Sequence, residues 1–183
     1  MDHSHRVSSF SCELRIVQAK NVESMQSTKN LFARLYLPAG TNKRVQLNTK
    51  KVSYEPFWNE SFSLDCSCPQ EFLESLWKER VVLELRQSKM WGSQVVAKGE
   101  IPWKAILESP KMELKEWVKM DLVRGSDDAD LKAPQVEVEI KIVVEKESQR
   151  RKRMNKKWDE CGCKEGHDLH ACCSVDDYAI YVL

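Results

Sequence analysis

No stretch of this chain approaches the roughly 18 apolar residues that a membrane-spanning helix needs. The opening residues, MDHSHRVSSF, are polar and carry no apolar signal-peptide run. The expectation is a cytoplasmic or nuclear chain, or one that meets a membrane only at its surface. A charge of one sign is also lacking: 29 Lys and Arg stand against 28 Asp and Glu. That balance argues against a dedicated nucleic-acid binder. Glycine is scarce, at six residues, and none of them builds a glycine-rich phosphate loop. No Cys-x-x-Cys occurs, so thiol oxidoreductase chemistry is not expected. The seven cysteines are an odd number, and in a reducing compartment they favour thiol or metal chemistry over disulfides.

What the chain does hold is alternation. At 42% hydrophobic and 31% charged residues, it has enough apolar side chains for one core beneath a polar surface. Strands are expected over 11–20, 31–37, 43–49, 57–64, 80–87, 94–101, 115–122 and 135–144. The last is the cleanest, with Val136, Val138, Ile140 and Ile142 alternating with Glu137, Glu139 and Lys141. A period of two with one apolar face marks a half-buried antiparallel strand. Short helices are expected over 69–80 and 102–109, each with a proline near its start. Eight strands at this spacing suggest an all-β sandwich of two sheets.

The run YEPFWNESF (54–62) is the most informative segment. Pro56 fixes its own φ and pushes Glu55 towards extended backbone, so a stiff turn precedes an alternating strand. This run resembles the "NPxWNExF" signature of the C2 domain, the calcium- and phospholipid-binding β-sandwich, with Glu55 in place of the usual residue before the proline. FSCELRIVQAKNV (10–22), KNLFARLYL (29–37), VVLELRQSK (81–89), VAKGEIP (96–102) and EWVKMDL (116–122) are similar to further family motifs, in the family's order. The resemblance covers about residues 10 to 145. It implies an eight-stranded antiparallel β-sandwich of type II-like topology, with its first strand running directly into loop 1. The expected organisation is a C2-like domain over 8–147 and a basic, Cys/His-rich tail over 148–183. Counting strands puts the connections after strands one, three, five and seven at the loop-1 end, and the exit to the tail at the opposite end.

The resemblance also implies a calcium site of aspartates in loops 1 and 3, and those residues are missing. Loop 1, NVESMQSTKN (21–30), holds only Glu23, and Asn30 stands where the family has aspartate. Loop 3, RQSKMWGSQ (86–94), holds no carboxylate; Gln87 and Lys89 occupy the expected aspartate positions. Calcium takes six to eight hard oxygen ligands, so calcium is not expected as a cofactor there. Asp127, Asp128 and Asp130 form a separate acidic cluster, read as a solvated connector or a weak ion site.

Two features point to an anionic membrane. One is the basic strand NKRVQLNTKK (42–51), where Lys43, Arg44, Lys50 and Lys51 fall on the segment that binds anionic lipid in the family. The other is Met90-Trp91 at the tip of loop 3, with Met25 in loop 1, apolar residues of the kind that enter a bilayer interface. The alternatives for these features are a solvated strand, a tryptophan folded onto the rim, and a protein partner in place of lipid. No small-molecule substrate is expected.

In the tail, SQRRKRMNKK (148–157) carries six basic residues in ten. The run 150–157 reads as a nuclear-localisation signal, a membrane-surface patch or a charged linker. Beyond it, Cys161, Cys163, His167, His170, Cys172 and Cys173 fall within thirteen residues. Thiolates and imidazoles are the usual zinc ligands and four suffice. A zinc site and a metal-free thiol-rich tail both remain open, as does a zinc- or redox-responsive role for the whole protein. Tail and domain together are similar to small plant C2-domain proteins with a Cys/His-rich end. An enzyme is not expected: a cysteine beside His167 offers a nucleophile–base pair, but no motif supplies an oxyanion hole or pocket.

Overall fold

Apolar positions on β-strands here alternate with polar ones, and the two apolar faces close on each other. The computed structural model describes residues 7–25, 27–39, 43–123, 132–144 and 179–182. Its strands are β1 (Val7–Lys20), β2 (Leu31–Pro38), β3 (Arg44–Asn48), β4 (Phe57–Pro69), β5 (Arg80–Ser88), β6 (Ser93–Pro102), β7 (Glu113–Lys119), β8 (Asp121–Leu122), β9 (Gln135–Val144) and β10 (Ala179–Val182). Helices α1 (Gln70–Leu76) and α2 (Trp103–Leu107) sit in the two expected places, each shorter than its sequence pattern. The first sheet runs β10-β4-β1-β9-β7 and the second β3-β2-β5-β6-β8. Every pairing is antiparallel. Between the sheets lie Leu14, Ile16, Leu35, Leu64, Leu83, Leu85, Ile101 and Ile140, all fully buried.

The parity count holds. β1 ends at Lys20 opposite Gln135, and β2 begins at Leu31 opposite Gln87. The segments after β1, β3, β5 and β8 therefore share one end. β9 finishes at the other, with Val144 opposite Phe10.

The described residues form ten strands where eight were expected. Residues 115–122 are not one strand. β7 belongs to the first sheet and β8 to the second, and fully buried Met120 carries the chain across between them. Gly99 of β6 makes room for that crossing. A Cβ there would lie 2.7 Å from Met120 Sδ and 2.9 Å from the Lys119 carbonyl oxygen.

The second addition is β10, which pairs Ile180 with Cys66 and Val182 with Leu64 on the open edge of β4. An edge strand offers unpaired N–H and C=O groups, and a returning chain segment satisfies them. Four residues of the 148–183 segment are thus part of the sandwich. The first half of β4 carries a bulge in its pairing with β1. The register with β1 slips between Ile16 and Gln18, and Asn59 takes φ 50°.

Candidate functional site

The signature run builds the loop end. The Glu55 carbonyl accepts from the Phe57 amide at 2.8 Å, a tight turn around Pro56. The Pro56 carbonyl accepts from the Ala19 amide at 2.8 Å and ties this turn to the end of β1. Glu60 Oε1 accepts from the Lys50 amide at 2.7 Å, which fixes the path from β3 into β4. Trp58 is buried and Phe62 packs against the core, as their spacing predicts. Tyr54 and Phe57 are exposed instead, and so enlarge the apolar surface of this end. Sequence reading used this run only for its turn and its anchors, and missed the two outward aromatics.

Loops 1 and 3 meet without any calcium-type ligand set among the described residues. Lys89 Nζ donates to Gln87 Oε1 at 2.6 Å, and Gln87 Nε2 donates to the Lys29 carbonyl at 3.3 Å. The Ser88 amide donates to the Asn30 carbonyl at 3.0 Å. A side-chain ammonium thus neighbours the positions where the family places carboxylates, and it would repel a divalent ion. Asn30 is in the left-handed region at φ 53°, which its short polar side chain tolerates.

Met90 and Trp91 stand at the tip of loop 3, each 91% exposed. Gly92, at φ 83°, allows the tight reversal, and the Lys89 amide donates to its carbonyl at 3.0 Å. Trp91 does not fold onto the rim. Met25 differs from expectation: it is buried in the core cluster, because the 3-10 turn Val22–Ser24 directs it inward. It adds nothing to the exposed tip.

Lys43, Arg44, Lys50 and Lys51 are all exposed. They do not form one patch. Arg44 starts β3 and Lys50 follows its end, so six residue steps of nearly extended chain separate them, on the order of 20 Å. Gln46 and Asn48 lie between, and Arg34 Nε of β2 donates to Asn48 Oδ1 at 2.7 Å. Lys50 and Lys51 belong to the loop end, and Lys43 and Arg44 to the opposite end.

Cys161, Cys163, His167, His170, Cys172 and Cys173 lie outside the described residues, as do Asp127, Asp128, Asp130 and the basic run 150–157. Among the described residues no group of three His, Cys, Asp or Glu side chains is placed to hold a metal. Cys12, Cys66 and Cys68 lie on neighbouring strands of the first sheet and are free thiols. Burial pushes Cys66 up to about 12 and Cys68 up to about 11, and it raises Cys12 as well. They stay protonated at neutral pH and behave as small core residues.

Among solved structures, CC2D1B aligns with a TM-score of 0.55 at 13% identity, over 74% of this chain and 63% of that one. A structure of Extended-Synaptotagmin 2 that holds its SMP domain and two C2 domains aligns with a TM-score of 0.51 at 17% identity, over 75% of this chain and 28% of that one. This chain therefore spans less than two thirds of either protein, and at such identities the likeness shows the fold alone. No curated protein sequence matches significantly. The family model described as C2 domain matches residues 11–120. That match covers more than half of the chain and includes the signature turn, both loops and the crossing at Met120, so this protein belongs to the C2 domain family.

Proposed function

We propose that this C2 domain docks on anionic phospholipid membranes without calcium, through its loop end. The observation that carries the reading is the tip of loop 3. Met90 and Trp91 project into solvent, beside a lysine where the family's ligand chemistry calls for carboxylates. Tryptophan favours the membrane interface. Lys29, Lys50, Lys51 and Lys89 are exposed at the same end and would meet lipid phosphates. Each such cation contributes roughly 1 kcal/mol near an anionic surface. Among the described residues no helix is long and apolar enough to cross a membrane, so docking would be peripheral. Lys43 and Arg44, at the far end, are not part of this surface. Co-sedimentation with phosphatidylserine vesicles tests the reading: binding should be equal with calcium and with chelator, and should fall as salt screens the lysines.

For the tail we propose one zinc ion held by four of Cys161, Cys163, His167, His170, Cys172 and Cys173. The support is ligand density, because a short span lowers the loop-closure cost of gathering four ligands. Elemental analysis should find about one zinc per chain, lost when Cys161 and Cys163 are changed to Ser. A metal-free preparation would reject it.

A further inference from the structure

The outer face of the first sheet carries its charges in cross-strand rows. β1, β9 and β7 are neighbours, and their registers align three residues at a time. One row reads Glu13–Lys141–Glu113. The next reads Arg15–Glu139–Lys115, with opposite signs throughout. Each central charge thus lies between two of the opposite sign. In the second row Arg15 meets Glu139 at 3.3 Å and Lys115 meets it at 2.8 Å. The third row is Gln18–Glu137–Trp117, where Glu137 accepts from Gln18 Nε2 at 2.9 Å and pairs with Lys115 at 3.4 Å.

The row at the loop end breaks the pattern. It reads Lys20–Gln135–Lys119. Two cations flank a neutral amide where the row of Arg15 has a carboxylate. Adjacent strands are about 4.8 Å apart, so the two lysines are rooted roughly 10 Å from each other. Lys20 Nζ rests 3.9 Å from the centre of the Trp117 ring, which holds it on this face. Lys132 enters from the connection before β9, and Asn21 and Ala133 also line the groove, with Asn21 Nδ2 donating to the Ala133 carbonyl at 3.3 Å. Among the described residues, three lysines from three segments line this groove and no carboxylate does. None of the three has an ion pair with another described residue.

We propose that the anion missing from this row is supplied from outside, as a phosphate monoester dianion seated between Lys20, Lys119 and Lys132 over Gln135. Several ammonium donors lining one groove suit a compact, multiply charged oxyanion. Because the row lies at the loop end, such a group on a lipid would be met in the same orientation that brings Trp91 to the bilayer. This deepens the membrane reading and rests on it for the lipid source alone. A phosphate monoester also exists free in solution, so the test has two arms.

In the first arm the full chain is titrated with inositol trisphosphate by calorimetry. The wild type binds. Gln135→Glu, which fills the gap with an internal carboxylate, weakens binding at least tenfold, and so does Lys20→Gln with Lys119→Gln. Gln135→Glu keeps or raises the thermal midpoint, because it completes a row of plus, minus, plus. Trp91→Ala leaves this affinity unchanged. Asp127, Asp128 and Asp130, in the segment before Lys132, are changed together to Asn as a control, and that variant binds at least as tightly. No binding by the wild type, wild-type affinity in either groove variant, a lowered midpoint for Gln135→Glu, or loss of binding in the Asn control would each overturn the proposal. In the second arm phosphatidic acid vesicles are compared with phosphatidylserine vesicles at equal charge. A preference for phosphatidic acid that Gln135→Glu removes assigns the lipid source. Binding of the free probe without vesicle binding keeps the groove and rejects the membrane reading.

Discussion

Trp91→Ala is the perturbation most closely tied to the loop end. The side chain is 91% exposed at the tip of loop 3, so its removal leaves the packed core untouched. A tryptophan presents up to about 250 Å². Sinking half of the exposed part into the interface takes about 110 Å² out of water, which at about 25 cal/mol per Å² contributes about 3 kcal/mol. The interface is less apolar than a protein core, so the expected loss is one to two orders of magnitude in vesicle affinity, at about 1.4 kcal/mol per decade. Vesicle titration at fixed salt measures it, with the thermal midpoint as a control for folding. Met90→Ala should act in the same direction and less strongly. A change below about threefold, with the midpoint unaltered, would refute the idea that this tip enters the bilayer.

Three more outcomes follow from the fold. Gly99→Ala drives a Cβ to 2.9 Å from the Lys119 carbonyl oxygen, and overpacking against backbone should cost about 1–3 kcal/mol, read as a lower denaturant midpoint. Ile180→Pro with Tyr181→Pro covers both parities of the β10 ladder and should release that strand; labelling of Cys66, which lies opposite Ile180, should then speed up in peptide-resolved mass spectrometry, and an unchanged rate would detach β10 from the account. The Glu139 carboxyl is held below its ordinary value, first by its hydrogen bond from Lys115. Its contribution to stability is present above the unfolded carboxylate range, near pH 4.3, and is lost as pH falls through its lower folded value. Glu139→Gln should therefore flatten the acid limb of the stability profile, by a small amount because the site is solvent-screened.

The sandwich was legible because its signals are local. Period-two alternation in β9, a stiff turn at Pro56 and the order of the C2-like motifs each depend on neighbouring residues. The missing aspartates of loops 1 and 3 were legible for the same reason. Other features depend on residues far apart in sequence. Nothing near 115–122 marks Met120 as a crossing between sheets; that needs Gly99 some twenty residues earlier. β10 reads as four ordinary apolar residues until β4 offers it an edge. Met25 looked like a loop-tip residue because its inward direction comes from the short 3-10 turn before it. The charge run NKRVQLNTKK reads as a patch in sequence, yet an extended strand spreads it from one end of the sandwich to the other. The denser cationic groove joins Lys20, Lys119 and Lys132, which no sequence window holds together.

Calcium independence of membrane docking is the central claim, and one titration addresses it. The full chain is added to phosphatidylserine vesicles in chelator and then in saturating calcium, at constant ionic strength. Overlapping binding curves, both weakened by salt and by Trp91→Ala, are the expected result. A calcium-dependent gain of tenfold or more would contradict it, and would mean that oxygen ligands outside the described residues complete a site that Gln87, Lys89 and Asn30 do not.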